Sequence, residues 1–238
     1  MRPLGALLFF LALGYFLLAY LTTFGDITDG GPVAGALTWD VVLFTAFALH
    51  HSIFARAGIR DWVARTAPPE LERSMYVWVA SLLFTAVIAM WRPVPGLAWR
   101  ADGVALWALR TIQAAGIWLT LRSAAILDIR ELAGLRRPED GVGGDLPSAV
   151  AGDLQVSGQE FKTRGPYGWV RHPIYSGWFL LVWAASPMTM TRLAFAAMSC
   201  AYLLIAIPFE ERSMRAIPGG SYDRYAATVR WRLLPGVY

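Results

Sequence analysis

The sequence predicts an all-α protein, a polytopic membrane helical bundle of about six transmembrane helices. Three observations point there. Of the 238 residues 56% are hydrophobic and only 16% charged, with a mean hydropathy of +0.45, the balance of an integral membrane protein rather than a soluble globule. Six apolar stretches, at roughly 3–24, 33–54, 75–91, 104–127, 174–190 and 193–209, are separated by polar or Gly/Pro-containing connections. Lysine and arginine also sort into alternate connections, as in a chain that crosses a membrane repeatedly.

The stretch from Pro3 to Phe24 has the roughly 20 apolar residues a spanning helix needs, and no small-residue cleavage site follows it, so it reads as a retained first span. The loop 24–32 carries Asp26 and Asp29 with glycines and no basic residue, as expected of an external connection. After the second span, 56–74 contains Pro68-Pro69 and reads as a short interfacial helix and a turn. The polar segment 136–163, rich in Gly, Pro and Asp, reads as a cytoplasmic loop with limited order of its own. The last two spans form a hairpin turning near Thr191-Arg192. Beyond them, 212–238 mixes arginines with Tyr222, Tyr225, Trp231 and Leu233, a pattern suited to an interfacial helix. The whole forms a single domain, 1–238: an N-terminal four-helix region over 1–127, a cytoplasmic loop over 128–173, and a C-terminal hairpin and tail over 174–238.

With the N-terminus inside, sixteen of the 21 basic residues fall on cytoplasmic segments, against Arg92, Arg100 and Arg192 outside. Both termini are then cytoplasmic, in a multi-pass protein of the bacterial inner membrane. The net charge of +4 implies no nucleic-acid partner, because the basic residues are dispersed beside apolar spans and face membrane lipids instead. The single cysteine, Cys200, lies in an apolar run; it excludes internal disulfides and reads as packing.

Ionisable groups collect at the predicted inner ends of the spans, where they are costly and mark functional candidates. His172 follows Arg171 and precedes Pro173, which suits the first turn of a helix. At that helix mouth, free amides and the dipole favour an anion such as a ligand carboxylate; the competing reading is a headgroup anchor. Glu210 and Glu211 end the last span, where the dipole disfavours negative charge. They serve either as partners of the arginine-rich tail or as a carboxylate for a ligand's ammonium or ribose hydroxyls. Antiparallel spans return His172 and Glu210 to one depth, giving an anion-binding and a cation-binding end that match a zwitterion. His50 and His51 end the second span; adjacent positions on a helix cannot chelate one metal as an i, i+4 pair does, so no metal is predicted. One of them serves better as a proton acceptor. Asp40 with Arg110, and Arg122 with Asp128, read as intramembrane ion pairs. No dinucleotide fingerprint, phosphate loop or Gly-x-Ser-x-Gly is present.

The string Gly165-Pro-Tyr-Gly-Trp-Val-Arg-His-Pro-Ile-Tyr-Ser-Gly177, with Glu210-Glu211-Arg212 after the hairpin and Tyr222-Asp-Arg-Tyr225 beyond it, resembles the integral-membrane methyltransferases that include isoprenylcysteine carboxyl methyltransferases and phospholipid methyltransferases. His50-His-Ser-Ile-Phe-Ala-Arg56, Arg60-Asp-Trp62, Glu72-Arg-Ser-Met-Tyr76, Trp91-Arg-Pro93 and Asp128-Ile-Arg-Glu-Leu-Ala-Gly-Leu-Arg136 are similar to the methanethiol S-methyltransferase and NnrU-like branch. The resemblance implies S-adenosylmethionine as cofactor, in a cytoplasmic site formed by the last helices and the C-terminal tail. Carried over by position, Tyr167, Arg171, His172, Pro173, Ile174, Tyr175 and Glu210 line that site, with 159–162 beside them. Ala206 stands where isoprenylcysteine enzymes carry a substrate-binding arginine. The expected reaction is S-adenosylmethionine-dependent methylation of a small thiol, methanethiol to dimethyl sulfide, with His51 and His172 as catalytic residues; the alternatives are a lipid, isoprenoid or prenylcysteine acceptor, or a non-catalytic NnrU-like accessory protein.

Overall fold

The computed structural model describes residues 2–54, 69–127, 155–156, 160–161, 163–216 and 220–238, with side chains from 3–54, 75–127, 163–216 and 220–238. Seven helices are described: α1 (Arg2–Leu21), α2 (Val33–Phe54), α3 (Pro69–Ala89), α4 (Gly103–Ile126), α5 (Pro173–Trp183), α6 (Met190–Arg215) and α7 (Ser221–Thr228). Short strands join them: β1 (Leu97–Trp99) pairs antiparallel with β4 (Met188–Thr189), and β2 (Gln155–Val156) with β3 (Glu160–Phe161). The β2–β3 hairpin lies within the stretch expected to carry little order. The expected interfacial helix at 56–74 falls largely outside the described residues.

Each predicted span falls on a helix, but only four stretches among the described residues are long and apolar enough to cross a bilayer: Pro3–Gly25, Val33–Phe54, Gly103–Ile126 and Met190–Arg215. Met75–Ala89 and Pro173–Trp183 are shorter apolar helices. The fifth predicted span, 174–190, is corrected most. Its helix stops at Trp183, short of Ser186-Pro187, a pair that a helix does not run through, and Met188–Thr189 turns into β4 instead. The turn expected near Thr191-Arg192 belongs to α6, whose start is capped by Thr189 accepting a hydrogen bond from the Arg192 amide at 3.1 Å. The tail is helical only over the eight residues of α7.

The core is aromatic. Phe195 is fully buried and its ring meets those of Phe16, Tyr20, Phe24, Phe44, Trp91 and Trp178, with Phe16 stacked on Trp178 at 4.6 Å. Such ring pairs add to plain area burial. Cys200 is buried in the same cluster. At the β1–β4 end, Arg192 is 2% exposed and donates to the carbonyls of Tyr20 (2.9 Å), Leu21 (2.9 Å) and Pro187 (2.6 Å). A cation thus satisfies the orphan carbonyls that end α1. The expected Asp40–Arg110 ion pair does not form. Asp40 accepts from the Arg92 amide at 2.9 Å, while Arg110 donates to Gln113 and to the Ser186 carbonyl. Asp128 lies outside the described residues.

Helices α4 and α5 approach through glycines. A Cβ on Gly116 would sit 2.6 Å from the Gly177 carbonyl, and one on Gly177 would collide with Thr120 Oγ1. Small residues of this kind let apolar helices meet backbone to backbone where no hydrophobic effect drives them together. Gly177→Ala is therefore expected to destabilise the protein by about 1–3 kcal/mol through overpacking, read as a lowered thermal unfolding midpoint in detergent.

Candidate active site

His172 caps the start of α5 in a non-helical conformation, and Pro173 opens the first turn. Its amide donates to the Arg232 carbonyl at 2.9 Å and the Arg171 amide to the Trp231 carbonyl at 2.8 Å. The tail therefore crosses the mouth of α5 as a backbone-paired strap. Ser176 fastens the strap further on, its hydroxyl donating to Leu233 O at 2.6 Å. His172 is accordingly 3% exposed. The ring is thus packed beneath the tail rather than exposed as a headgroup anchor.

Across the mouth, the end of α6 presents its two carboxylates in different directions, since consecutive helix positions point about 100° apart. Glu211 is fully buried and accepts from Arg171 Nε at 2.8 Å and from Arg232, whose Nη2 lies 3.1 Å from Oε2; Arg215 is 3.5 Å away. Arg171 also donates to the carbonyls of Val229 and Arg230 at 3.0 and 2.8 Å. Burial works against the Arg232 cation, but the hydrogen bond and charge of Glu211 outweigh it and hold its pKa above the ordinary value. Glu211 is thus the arginine partner that the sequence left open, and it ties α5, α6 and the tail together.

Glu210 does something else. One carboxylate oxygen accepts from the Tyr175 hydroxyl at 2.5 Å. The other, Oε2, is buried, with His172 Nδ1 at 3.7 Å, too far for a hydrogen bond, and has no hydrogen-bond partner among the described residues. The His172 ring stacks on Tyr175 at 5.5 Å, with its Nε2 3.4 Å from Glu211. Among the described residues no side chain caps α5, and the amides of Ile174 and Tyr175 in its first turn have no intrahelical acceptor. A buried carboxylate oxygen without a donor and an uncapped helix start therefore lie side by side.

Tyr167 and Tyr225 form the floor. Tyr225 donates to the Tyr167 carbonyl at 2.9 Å, and both pack with Leu127, Met214, Tyr222 and Val229, with Ile174 against them. Burial pushes the phenols of Tyr222 and Tyr225 well up, with the Glu211 charge adding in both cases, so both remain neutral. The structure thus brings Tyr167, Arg171, His172, Pro173, Ile174, Tyr175 and Glu210 together, although Arg171 is committed to Glu211 and the tail. Gln159 and Lys162 lie outside the described residues. His51 sits on α2 with its Nδ1 3.0 Å from the Tyr76 hydroxyl, and Ser52 meets Tyr202 at 3.0 Å. Tyr202 stands on α6 eight residues before Glu210. Sequence reasoning does not single out Tyr202 or Tyr76 as site residues. A signal exists for the first: Tyr202, Ala206 and Glu210 recur every four residues along one face of α6. No group of three or more His, Cys, Asp or Glu placed to hold a metal occurs among the described residues.

Residues 151–216 match the family model described as the isoprenylcysteine carboxyl methyltransferase (ICMT) family. The chain is 33% identical over 204 residues to methanethiol S-methyltransferase 2 of Bradyrhizobium diazoefficiens, covering 86% of this chain and 75% of that protein. It is 35% identical over 215 residues to the methanethiol S-methyltransferase of Mycobacterium tuberculosis, 88% and 82% of the two chains. Similarity to the nurim homolog of Drosophila melanogaster is weaker, 22% over 192 residues, covering 76% of this chain and 70% of that one. No solved structure matches.

The two carboxylates should separate on mutation. Glu211→Ala strands Arg171 in a buried position and should cost about 3–5 kcal/mol of stability, whereas Glu210→Gln should leave the thermal unfolding midpoint nearly unchanged. Equal loss in both variants would show that the carboxylates share one structural role.

Proposed function

Because the chain belongs to the isoprenylcysteine carboxyl methyltransferase family of integral membrane proteins, we propose that it methylates a small thiol from S-adenosylmethionine, converting methanethiol to dimethyl sulfide. The observation that carries this reading is the buried, donor-less oxygen of Glu210 beside the uncapped start of α5. The two features fit the opposite ends of an amino-acid zwitterion: a carboxylate for an ammonium, and helix amides with His172 for a carboxylate. Glu210 holds the ammonium, and the Tyr175 hydroxyl fixes the rotamer that leaves Oε2 free to do so. Tyr167, Pro173 and Ile174 form the apolar wall. Arg171 acts at one remove, holding the tail over the mouth through Glu211. When bound, S-adenosylmethionine supplies an electrophilic methyl group on a cationic sulfur. The protein's contribution is to position that group, exclude water and take the thiol proton, the last assigned to His51.

The lysine and arginine bias supports a multi-pass arrangement in a bacterial inner membrane with both termini and this site cytoplasmic. In that arrangement α3, and α5 continued by the largely buried segment 184–189, complete six crossings, and 1–238 works as one unit: the four-helix region over 1–127, the loop over 128–173 and the hairpin with its tail over 174–238. Ala206 lies one turn before Glu210 and offers no charge to an acceptor carboxylate. The similarity to methanethiol S-methyltransferases supports the thiol over a lipid or prenylcysteine.

Glu210→Gln is expected to weaken S-adenosylmethionine binding by about 1.5–3 kcal/mol in calorimetry on detergent-purified protein; unchanged affinity in a folded variant would remove Glu210 from the site. Offered labelled S-adenosylmethionine with methanethiol, a prenylcysteine and a phospholipid, the wild-type protein should label the thiol most efficiently. Preferential carboxyl methylation of the prenylcysteine would reverse the assignment.

A further inference from the structure

A second cluster lies where α2, α3 and α6 come together, two turns before Glu210 on α6. The His51 ring stacks on Phe47 with centroids 5.6 Å apart, and meets Tyr76 at 5.9 Å and Tyr202 at 6.5 Å. Phe47 packs in turn against Phe84 at 5.3 Å. The Tyr202 hydroxyl is held by Ser52 at 3.0 Å. Tyr202 stands on the same face of α6 as Glu210, eight residues before it and about 12 Å along the helix axis, so the cluster lies two turns from the groups that fit the methyl donor. Its surfaces are aromatic faces, an imidazole and hydroxyls, which suit a small uncharged molecule better than an anion.

We propose that Phe47, His51, Tyr76 and Tyr202 form the methyl-acceptor site, that it takes a small neutral thiol, and that Tyr76 sets His51 to receive the thiol proton at Nε2. This rests on the methyltransferase reading of the neighbouring site. The Tyr76 hydroxyl, with a single proton, meets both His51 Nδ1 at 3.0 Å and the His51 carbonyl oxygen at 3.4 Å. If the proton went to Nδ1, the hydroxyl oxygen would face the carbonyl oxygen with no proton between them. Both contacts are hydrogen bonds only when the hydroxyl donates to the carbonyl and accepts from Nδ1–H. That tautomer leaves a lone pair on Nε2. His50 also stacks on Tyr76, at 6.0 Å, but its ring lies closer to Phe54, at 4.7 Å, and its Nδ1 is buried with no hydrogen-bond partner among the described residues.

The chemistry balances on these groups. The S–H bond of the acceptor breaks with its proton going to Nε2. The sulfur lone pair forms the new S–CH3 bond, and the electron pair of the cleaved C–S bond stays on the donor's sulfur. The imidazolium then returns its proton to water. Since the thiolate is the nucleophile, His51 and Tyr76 matter only for a thiol that arrives protonated. Tyr76 is therefore a positioning residue, acting through His51.

The test compares Tyr76→Phe and His51→Gln with the wild-type protein on two acceptors: methanethiol, which arrives mostly protonated near neutral pH, and an aromatic thiol, which is largely ionised there. S-adenosylmethionine affinity by calorimetry and the thermal unfolding midpoint are measured alongside. The expected result is donor affinity within about twofold of wild type and kcat on methanethiol reduced about 10²-fold or more in His51→Gln, the scale of a lost general base. Tyr76→Phe should lose about tenfold, and the rise of its rate from low pH should move along the pH axis. Loss on the aromatic thiol should be far smaller in both. Equal losses on the two thiols, or a Tyr76→Phe protein with wild-type kcat and pH profile, would overturn the proposal while leaving the cofactor reading intact. A wild-type protein that binds no S-adenosylmethionine would overturn both.

Discussion

The structure around the site depends on one buried carboxylate. Glu211 has no exposed surface and lies within ion-pair distance of Arg171, Arg215 and Arg232. Moving a carboxylate out of water costs several kcal/mol, repaid only when its oxygens are fully engaged by well-placed donors. Here they are, and the clamp joins three places in the chain: the segment before α5, the end of α6 and the C-terminal tail. The same clamp draws the Trp231 and Arg232 carbonyls onto the amides of Arg171 and His172. Ser176 and the Arg171 contacts to the Val229 and Arg230 carbonyls reinforce the same crossing.

That arrangement explains why the neighbouring carboxylate can be left incompletely bonded. Glu210 is one position along the helix and points away from the arginines; among the described residues it accepts a hydrogen bond from Tyr175 alone. An orphaned buried acceptor is destabilising by itself and persists because the Glu211 clamp and the α4–α5 glycine contact hold the surrounding elements. At the opposite end, Arg192 and the β1–β4 pair fix α1, α5 and α6 to one another. The site is thus built at one end of a bundle locked at the other, with the Phe195 aromatic cluster between them.

Much of this is legible in the sequence because membrane segments announce themselves by composition. Segments 33–54 and 104–127 fall within a residue of their helices. The fifth span is overextended in the sequence reading because apolar character continues through Ala184, Ala185, Met188 and Met190, while the chain has already left the helix at Ser186-Pro187. The tail's mix of arginines and aromatics suggests an interfacial helix, but composition does not reveal that Arg232 reaches back 21 residues to Glu211. The pairing of His172 with Glu210 follows from antiparallel geometry alone. The division of labour between Glu210 and Glu211 does not, because only tertiary packing decides which of two adjacent carboxylates meets the arginines. Tyr76 and Tyr202 are not read as site residues for a similar reason: an aromatic on an apolar helix reads as core until its hydroxyl is seen against His51 or Ser52.

The central claim is that the methyl donor sits between the start of α5 and the end of α6. Photolabelling of the detergent-purified protein with an azido derivative of S-adenosylmethionine, followed by peptide mapping, tests it most directly. The account predicts label within 165–178 and 202–211, suppressed by excess unmodified S-adenosylmethionine. Competable label confined to the opposite end, around 92–103 or 184–192, would contradict it.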